Sequence, residues 1–346
     1  MRRSGVLAGA LMLGGAALAA CSGSKAASTD TSKATAQAGG VKAFTIAMIA
    51  KSSTNPVFLS GRAGAEAAAR ELSKQSGVAV RIDWLTPPSE DATLQAQRIG
   101  EAVNSGADAI LLSASDAGKL LGAVNDAVTR GVPVMTFDSD VAGSKRFSFY
   151  GGDDELMGTQ VMDELAKQMG GKGKIAILAG NQNAPNLQKR VQGVKDEAKK
   201  YPGITIVNTF YHAETPQDAA AEVIRAQNAY PEIQGWAMIG GWALFTPALV
   251  GTIDPTKVKI VSVDAIPSEL VYVDKGIAPV LLAQPTYDWG YVSVKTIFDH
   301  VYSHKAVPEH VQMNLVRVSK DNLGQWARQL RDWGFTDVDP KYVAMK

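Results

Sequence analysis

The chain has 346 residues, of which 46% are hydrophobic and 20% are charged, and its formal net charge is +1. These values are ordinary for a globular protein with enough apolar material for one large or two medium domains. The near-zero charge argues against nucleic acid as a partner, since phosphate binding requires a clustered excess of basic residues.

The first twenty residues have the pattern of a secretory signal peptide. Arg2 and Arg3 precede an apolar stretch from Val6 to Leu18, and small residues follow, which is the order of charge, core and cleavage region in such signals. The segment ends in LAAC at Cys21, which resembles the lipobox of bacterial lipoproteins. The resemblance implies cleavage before Cys21 and attachment of lipid to it. The alternative is an ordinary signal peptide followed by a chance cysteine.

Residues 22–40 are small and polar, so they cannot bury a core and are predicted to form a flexible tether. We therefore assign residues 1–20 to a signal peptide and residues 21–42 to a lipidated cysteine and its linker. Cys21 is the only cysteine of the chain, and lipidation would account for it. Together these features predict an extracytoplasmic body, in the periplasm or cell envelope, that is held at a membrane by its lipid.

From residue 44 onward, short apolar runs alternate with stretches of helical spacing. The strands predicted in the first half are 44–50, 78–85, 109–112 and 133–137, and the helices are 57–72, 91–104 and 117–130. Continuous apolar strands that alternate with amphipathic helices favour a parallel sheet covered by helices on both faces.

The pattern pauses at residues 147–152 and then begins again. The later strands are predicted at 174–178, 204–210, 235–239, 258–263 and 278–283, and the later helices at 155–169, 186–200, 216–229, 245–250, 268–275 and 287–301. Two successive doubly wound units indicate an α/β protein with two Rossmann-like lobes, each built on a parallel sheet. The last segment, residues 323–346, is predicted to be a terminal helix and a tail packed on the surface.

Motifs of catalysis are missing from the sequence. Two glycine-rich phosphate-binding loops are absent: G-x-G-x-x-G does not follow the first strand, and G-x-x-x-x-G-K-[ST] does not occur. The G-x-S-x-G nucleophile elbow is absent as well. His300 and His304 have helical spacing, but without an acidic partner motif a solvated helix face is favoured over a metal site. We therefore expect no enzymatic activity, no cofactor and no metal.

The loops that follow the predicted strands are rich in side chains that bind hydroxyl groups. In open α/β sheets, ligands bind beyond the carboxyl ends of the strands. These loops contain Asn55, Asp138, Asp140, Asn181, Gln182, Asn183, Asn186, Gln188, Arg190, Asp264 and Gln284. Carboxylates, amides and guanidinium groups satisfy the paired donors and acceptors of sugar hydroxyls. Phe58, Trp242 and Trp289 lie near strand ends and could stack on a sugar ring, although core or hinge packing is favoured for Trp289.

Two segments of the first half resemble motifs of the periplasmic-binding-protein type I family, specifically ribose/galactose-type sugar-binding proteins of ABC transporters. The sequence NPVF, from Asn55 to Phe58, is similar to the family's Asn-Pro-Phe-Phe turn, with valine replacing one stacking aromatic. The sequence PVMTFD, ending at Asp138, is similar to a strand end whose aspartate holds sugar hydroxyls. Ser139 stands where ribose binders have an arginine.

Further segments of the second half carry the same resemblance, which covers residues 44–318. The sequence NLQKRVQGV at 186–194 resembles a helix start of the family, with Gln188 at or near the usual ligand-binding arginine. Asp264 ends a strand similar to the family's, although the usual glycine is absent, and Gln284 corresponds to a hinge glutamine. Trp242 follows two glycines where the family usually has an Asn-Asp pair, which argues against ribose itself.

The resemblance implies a monomeric solute-binding lipoprotein that closes two lobes on a monosaccharide or polyol and delivers it to the permease of an ABC importer. It implies a hinge of three crossings between an N-terminal lobe (43–150 plus 285–313) and a C-terminal lobe (151–284 plus 314–330), followed by a tail (331–346). The expected ligand-binding residues are Asn55, Phe58, Asp138, Asp140, Asn186, Gln188, Arg190, Trp242, Asp264 and Gln284.

Purely structural roles remain open for several of these residues. Asn55 precedes a proline and could cap the first helix, as Asp138 and Asp264 could cap the helices that follow them. Phe58 could belong to the core of the first helix, and Asp140 could be a solvated loop charge. Of Gln188 and Arg190, one is expected to face the ligand while the other pairs with a carboxylate.

The sequence is also compared with three other classes of function. The same fold could serve as a ligand-sensing subunit for a chemoreceptor or sensor kinase, or could bind a solute other than a sugar. Sugar-responsive repressors share this body, but the signal peptide and tether occupy the place of their DNA-binding helices. A lipid-anchored hydrolase or dehydrogenase is disfavoured by the missing motifs.

Overall fold

The computed structural model describes residues 43–346, and strands and helices alternate along most of them. The strands are β1 (Phe44–Ile49), β2 (Val80–Trp84), β3 (Ala109–Leu112), β4 (Val134–Phe137), β5 (Ser148–Gly151), β6 (Lys172–Ala179), β7 (Gly203–Tyr211), β8 (Ile233–Met238), β9 (Lys259–Val263), β10 (Val280–Ala283), β11 (His310–Gln312) and β12 (Val316–Val318). The helices are α1 (Pro56–Ser76), α2 (Ala92–Asn104), α3 (Ala117–Thr129), α4 (Asp154–Met169), α5 (Pro185–Ala198), α6 (Pro216–Ala229), α7 (Leu270–Asp274), α8 (Thr286–Ile297), α9 (Leu323–Asp332) and α10 (Pro340–Val343).

The strands form two six-stranded sheets, and each sheet is the centre of one lobe. The sheet of the N-terminal lobe has the order β11-β5-β4-β3-β1-β2, and all of its pairs are parallel. The sheet of the C-terminal lobe has the order β12-β10-β9-β8-β6-β7, and only β12 runs antiparallel to its neighbour. The prediction of two α/β lobes built on parallel sheets is confirmed.

Every residue of β3, β4, β5 and β10 is buried, as the continuous apolar runs predict for strands covered on both faces. Several helices begin at a side-chain cap just beyond a strand or loop. Asp91 accepts from the backbone N–H groups of Thr93 and Leu94, and Asp153 accepts from that of Leu156. Each such cap contributes about 0.5–2 kcal/mol, and together they fix where the helices leave the strand ends.

Three chain segments connect the lobes. They lie between β5 and α4, between β10 and α8, and between β11 and β12. A hinge at these segments, near residues 151, 284 and 314, stays a prediction of the family resemblance. Each sheet has its own cluster of buried residues, and Met157 and Ile266 of the C-terminal lobe join the cluster of the N-terminal lobe. Among the described residues, no helix is both long and apolar enough to cross a bilayer.

Two parts of the second half differ from the sequence prediction. The helix expected at 245–250 is replaced by two short 3₁₀ turns, Trp242–Leu244 and Pro247–Leu249. Thr246 is extended, with φ −130° and ψ 151°, as the residue before a proline usually is, and it interrupts the helix. The C-terminal segment contacts both lobes: Trp326 donates from Nε1 to Ala265 O (2.7 Å), and Trp333 stacks on Tyr287 of α8.

Candidate functional site

The carboxyl ends of the two sheets face each other across a small enclosed pocket. Eight of the ten predicted ligand-binding residues line it: Asn55, Phe58, Asp138, Asn186, Arg190, Trp242, Asp264 and Gln284. Lys51, Val57, Leu187, Glu214, Gly240 and Trp289 complete the lining. Both lobes contribute, because the pocket lies beyond β1 and β4 of one sheet and beyond β8, β9 and β10 of the other.

Two aspartates occupy corresponding places in the two lobes. Asp138 directly follows β4 with φ 56°, and Asp264 directly follows β9 with φ 77°. Such left-handed backbone is uncommon outside glycine but is tolerated by aspartate, and it often marks functional sites. Ser113 Oγ donates to Asp138 Oδ2 (2.8 Å). The carboxylates therefore face the pocket, and neither is the cap of a following helix.

Arg190 on α5 is the centre of the polar network. Its side chain is buried, and Nε donates to Asp154 Oδ1 (2.8 Å) while Nη1 donates to the backbone oxygen of Ile239 (3.2 Å). Nη2 donates to Gln284 Oε1 (3.0 Å) and lies 4.0 Å from Asp138 Oδ1. Burial disfavours the charge, but Asp154, Asp138 and other carboxylates outweigh it and raise the pKa of Arg190. The guanidinium is thus held in place by both lobes.

Gln284 joins Arg190 to the second aspartate. It accepts from Arg190 and donates from Nε2 to Asp264 Oδ1 (2.8 Å), while the N–H of Gly241 donates to Asp264 Oδ2 (3.1 Å). Burial raises the pKa of Asp264, and these hydrogen bonds, with the charge of Arg190, oppose that rise. Since Gln284 immediately follows β10, one hinge segment directly positions a pocket carboxylate.

Aromatic rings form the apolar part of the lining. Phe58 packs on Trp289, with ring centroids 5.6 Å apart, and both rings lie over Phe137. Trp242 belongs to the C-terminal lobe and meets the ring of His212 edge to face at 5.3 Å. Each lobe therefore brings an aromatic ring to the pocket, an arrangement that can cover the apolar faces of a sugar ring.

The two asparagines of the lining have structural partners as well. Asn55 caps α1, because its Oδ1 accepts from the N–H of Val57 (3.1 Å). Asn186, in the first turn of α5, donates from Nδ2 to Asp138 Oδ1 (3.3 Å) across the lobes. The capping role foreseen for Asn55 is thus present, and its side chain also lines the pocket.

Lys51 is a pocket residue that the sequence analysis did not single out. It follows β1, is only 2% exposed, and its Nζ donates to Asn186 Oδ1 (3.3 Å) and lies 3.8 Å from Asp138 Oδ2. Burial works against its charge, but Asp138, Glu90 and Glu214 outweigh burial and raise the pKa of Lys51. The sequence feature that could have identified Lys51 as a pocket residue is its position in the same strand-end loop as Asn55. Lysine is usually solvated, so the residue type by itself does not indicate a pocket position.

Asp140 and Gln188 lie outside the pocket lining. Asp140 accepts from both Nε and Nη2 of Arg146 (2.6 and 2.8 Å) and from Thr136 Oγ1 (2.6 Å). Gln188 is exposed on α5 and donates to the backbone oxygen of Gln182 (2.6 Å). The helix turn that carries Gln188 outward carries Arg190 inward, so the arginine takes the place expected for the glutamine.

The lobes contact each other directly in this conformation. The space left between the lining residues is about 30 Å³, room for a water molecule or two. The contacts of Asn186 with Lys51 and Asp138 cross the space between the lobes. A ring-sized solute therefore requires the lobes to separate and these side chains to exchange partners. A larger depression of about 740 Å³, around Glu232 and Lys257, contains none of the predicted residues.

We expect Lys51→Met to weaken the binding of a hydroxyl-bearing solute by about ten- to a hundredfold, the effect of losing one charged hydrogen bond. Methionine keeps the length of the side chain but cannot donate. Isothermal titration calorimetry measures the change, with Lys119→Met, an exposed residue of the same lobe, as the control. Equal affinity of Lys51→Met and the unchanged protein would contradict this role.

Comparison with known proteins agrees with this geometry. Residues 46–305 match a family described as "Periplasmic binding protein domain". A xylitol-binding protein of Mycolicibacterium smegmatis is 29% identical over 133 residues, 37% of this chain and 36% of that protein. A D-apiose import binding protein of Actinobacillus succinogenes is 30% identical over 193 residues, 55% of this chain and 59% of that protein. The chain thus spans less than two thirds of the length of these relatives.

A solved structure supports the same assignment. A carbohydrate transporter solute binding protein from Agrobacterium Radiobacter, in complex with D-arabinose, superimposes with a TM-score of 0.73 at 25% sequence identity. The superposition covers 88% of this chain and 98% of that protein.

Proposed function

Since the chain belongs to the periplasmic binding protein family, we propose that it captures a neutral polyhydroxylated solute, a monosaccharide or polyol, between its two lobes. The main observation behind this proposal is a pair of aspartates at strand ends. Asp138 of one lobe and Asp264 of the other both line the same pocket, which aromatic rings also line. The family is one of solute-binding transport proteins rather than enzymes. Relatives and neighbours that bind xylitol, D-apiose and D-arabinose support this class of solute.

The pocket chemistry suits hydroxyl groups. Asp138 and Asp264 can accept hydrogen bonds, Lys51 and Arg190 can donate them, and the amide of Asn55 can do both. Lys51 and Arg190 are already opposed by the carboxyl groups of the lining, those of Asp138, Asp264 and Glu214, so an uncharged solute binds without disturbing these pairs. Specificity follows because a solute that lacks a hydroxyl leaves a buried polar group without a partner.

Closure of the lobes is the mechanism that we propose. A solute that contacts Asp138 in one lobe and Asp264 in the other has its full set of contacts only when the lobes close. It therefore shifts the equilibrium toward the closed state by its extra affinity for that state. The closed surface is then the form that a membrane permease recognises.

We also propose that the protein is a monomeric lipoprotein that serves an ABC importer. Family membership implies a position outside the cytoplasm, in agreement with the signal-like start of the chain. Cys21 and the linker at 21–42 lie outside the described residues, so the lipid anchor rests on the LAAC sequence alone. Metabolic labelling with a radioactive fatty acid checks it, because Cys21→Ala should abolish the label.

A panel of solutes tests the pocket. We expect calorimetry to detect binding of at least one of xylitol, D-apiose, D-arabinose, D-allose and D-ribose. Asp264→Asn should lower the affinity for that solute by tenfold or more. A hydrogen bond to a charged group contributes about 1.5–3 kcal/mol. Asparagine tolerates the left-handed backbone at this position, so the variant tests the carboxylate rather than the turn.

The control is Gln188→Ala, because Gln188 lies on the same helix as Arg190 but outside the pocket. It should bind the same solute with unchanged affinity. Asp264→Asn binding as tightly as the unchanged protein would refute the pocket assignment. Failure of the whole panel would refute the proposed solute class, and recovery of a chemically altered solute would refute a purely binding role.

A further inference from the structure

Two carboxyl groups from opposite lobes meet at the mouth of the cleft. Glu90 follows β2 in the N-terminal lobe and Glu214 follows β7 in the C-terminal lobe, and both line a cavity of about 350 Å³ next to the pocket. Burial, and then the nearby charge of Glu90, raise the pKa of Glu214. Asn181 links them, since its backbone N–H donates to Glu214 Oε1 (2.9 Å) and its Nδ2 donates to Glu90 Oε2 (3.2 Å).

The other oxygen of Glu90, Oε1, is buried and accepts a hydrogen bond from no N–H or hydroxyl donor among the described residues. The carboxyl of Glu214 cannot withdraw into its own lobe, because it lies against the backbone of Gly180, where an added Cβ would be 2.6 Å from Oε1. Two facing carboxylates repel each other, whereas a carboxylic acid and a carboxylate share a hydrogen bond.

We propose that Glu90 and Glu214 form a proton-operated latch: closing the lobes takes up one proton, which the two carboxyl groups share, and its loss opens them. This inference rests on the opening and closing that the proposed function requires. When the lobes separate, both carboxyl groups become more exposed to water, which favours their charged forms. The protonated latch then favours the closed state, and the ionised latch opposes it.

The charges around the latch do not replace the proton. Lys51 of the N-terminal lobe attracts both Glu90 and Glu214, but it also contacts Asp138, so one ammonium faces three carboxyl groups. His212 lies on the loop of Glu214, and burial lowers its pKa, which keeps it uncharged near neutral pH. The more distant Asp218 and Glu222 face His212 from α6.

The direction of the pH dependence follows from linkage. Burial, and then Glu90, raise the pKa of Glu214 well above its ordinary value in the closed state, while an exposed glutamate titrates near 4.3. The advantage of the closed state is therefore complete below about pH 4.3 and is lost as the pH rises through the closed-state pKa. For one proton the ratio of closed to open molecules changes by at most about tenfold per pH unit.

Double electron–electron resonance on the full chain in detergent tests the latch without any solute. Nitroxides at Lys119→Cys and Gln192→Cys, one exposed residue on each lobe, report the distance between lobes, with Cys21→Ala removing the native thiol. We expect the shorter distance to gain population as the pH falls from 8 to 5, by up to about tenfold per pH unit.

Glu214→Gln should remain in the short-distance state at every pH, because its amide can donate to Glu90 as the shared proton does. Glu90→Gln makes the same substitution in the other lobe and should have the same effect. The latch can therefore still be tested if one of the two variants does not fold. Glu232→Gln, an exposed glutamate away from the cleft that pairs with Lys174, should behave as the unchanged protein. A distance that does not depend on pH, or a pH dependence that persists in Glu214→Gln and Glu90→Gln, would overturn the latch. Either result leaves solute capture intact, since no solute is present.

Discussion

Arg190→Met is expected to abolish solute binding and to lower the free energy of unfolding by about 3–5 kcal/mol, the usual cost of removing one partner of a buried ion pair. Arg190 is 2% exposed and bonds Asp154, the backbone of Ile239 and Gln284. Methionine fills much of the same volume but leaves Asp154 without its main partner. Urea unfolding followed by circular dichroism measures the stability, and calorimetry measures the binding.

The loss of stability should depend on pH. Burial already raises the pKa of Asp154, and Arg190 is the main influence that opposes this rise. In Arg190→Met the pKa of Asp154 therefore rises further above its unfolded value of about 3.9. The deficit is smallest below that value, where Asp154 is protonated in both states, and it grows as the pH rises through the folded-state pKa. Unfolding at pH 5 and at pH 8 should show a larger deficit at pH 8.

A second substitution separates stability from binding. Asp154→Asn removes the stranded carboxylate, so the double variant of Arg190→Met and Asp154→Asn should regain much of the lost stability and lose the pH dependence. It should still fail to bind, because Asp154 lies behind the pocket while Arg190 lines it. Recovery of binding in the double variant would show that Arg190 acts only through the stability of α5. An unchanged affinity in Arg190→Met would remove it from the site.

Most of the fold could be predicted because parallel strands buried on both faces leave continuous apolar runs. The run at 109–112 coincides with β3, and 133–137 differs from β4 by one residue. Three strands were missed. The four buried residues of β5 fall in the segment that was interpreted as a pause in the pattern. The other two missed strands are β11 and β12. Each has three residues, is largely exposed, and lies at the edge of a sheet. Pairing with a neighbouring strand defines such edges, and the local sequence carries little sign of it.

The site could be predicted where a strand end fixes the direction of a side chain. Asp138 and Asp264 follow their strands directly, so the parallel sheet alone places them at the cleft. Position on a helix was harder to infer: Gln188 and Arg190 are two residues apart, and only the packing of α5 on α4 decides which one faces inward. Asp140 lies three residues beyond the end of β4, where Arg146 holds it away from the pocket.

Glu214 was missed for a different reason. It follows β7, an edge strand of its sheet, and no pattern in the sequence connects it with Glu90, which is 124 residues earlier (214 less 90). Closure of the lobes brings these two residues together. Contacts of this kind depend on the relative position of the two lobes, and the alternation of strands and helices does not encode that position.

Gly158→Ala is expected to damage stability and binding together. Helices α4 and α5 approach so closely that a Cβ at Gly158 would lie 2.0 Å from the backbone oxygen of Arg190. Alanine must therefore push α5 outward by more than an ångström, and overpacking of this kind costs about 1–3 kcal/mol. Because the displaced segment carries Arg190, the hydrogen bonds from Arg190 to Asp154 and Gln284 lengthen. Losing one charged hydrogen bond lowers affinity by roughly tenfold or more.

Gly100→Ala is the matched control for this prediction. Gly100 lies in α2, where an added Cβ meets no atom within 4 Å. Alanine there should raise the free energy of unfolding by about 0.5–1 kcal/mol, because glycine loses more backbone freedom on folding, and it should leave affinity unchanged. Urea unfolding and calorimetry on both variants make the comparison. If Gly158→Ala were as stable as Gly100→Ala and bound as tightly, the close packing of α4 and α5 would not be what positions Arg190.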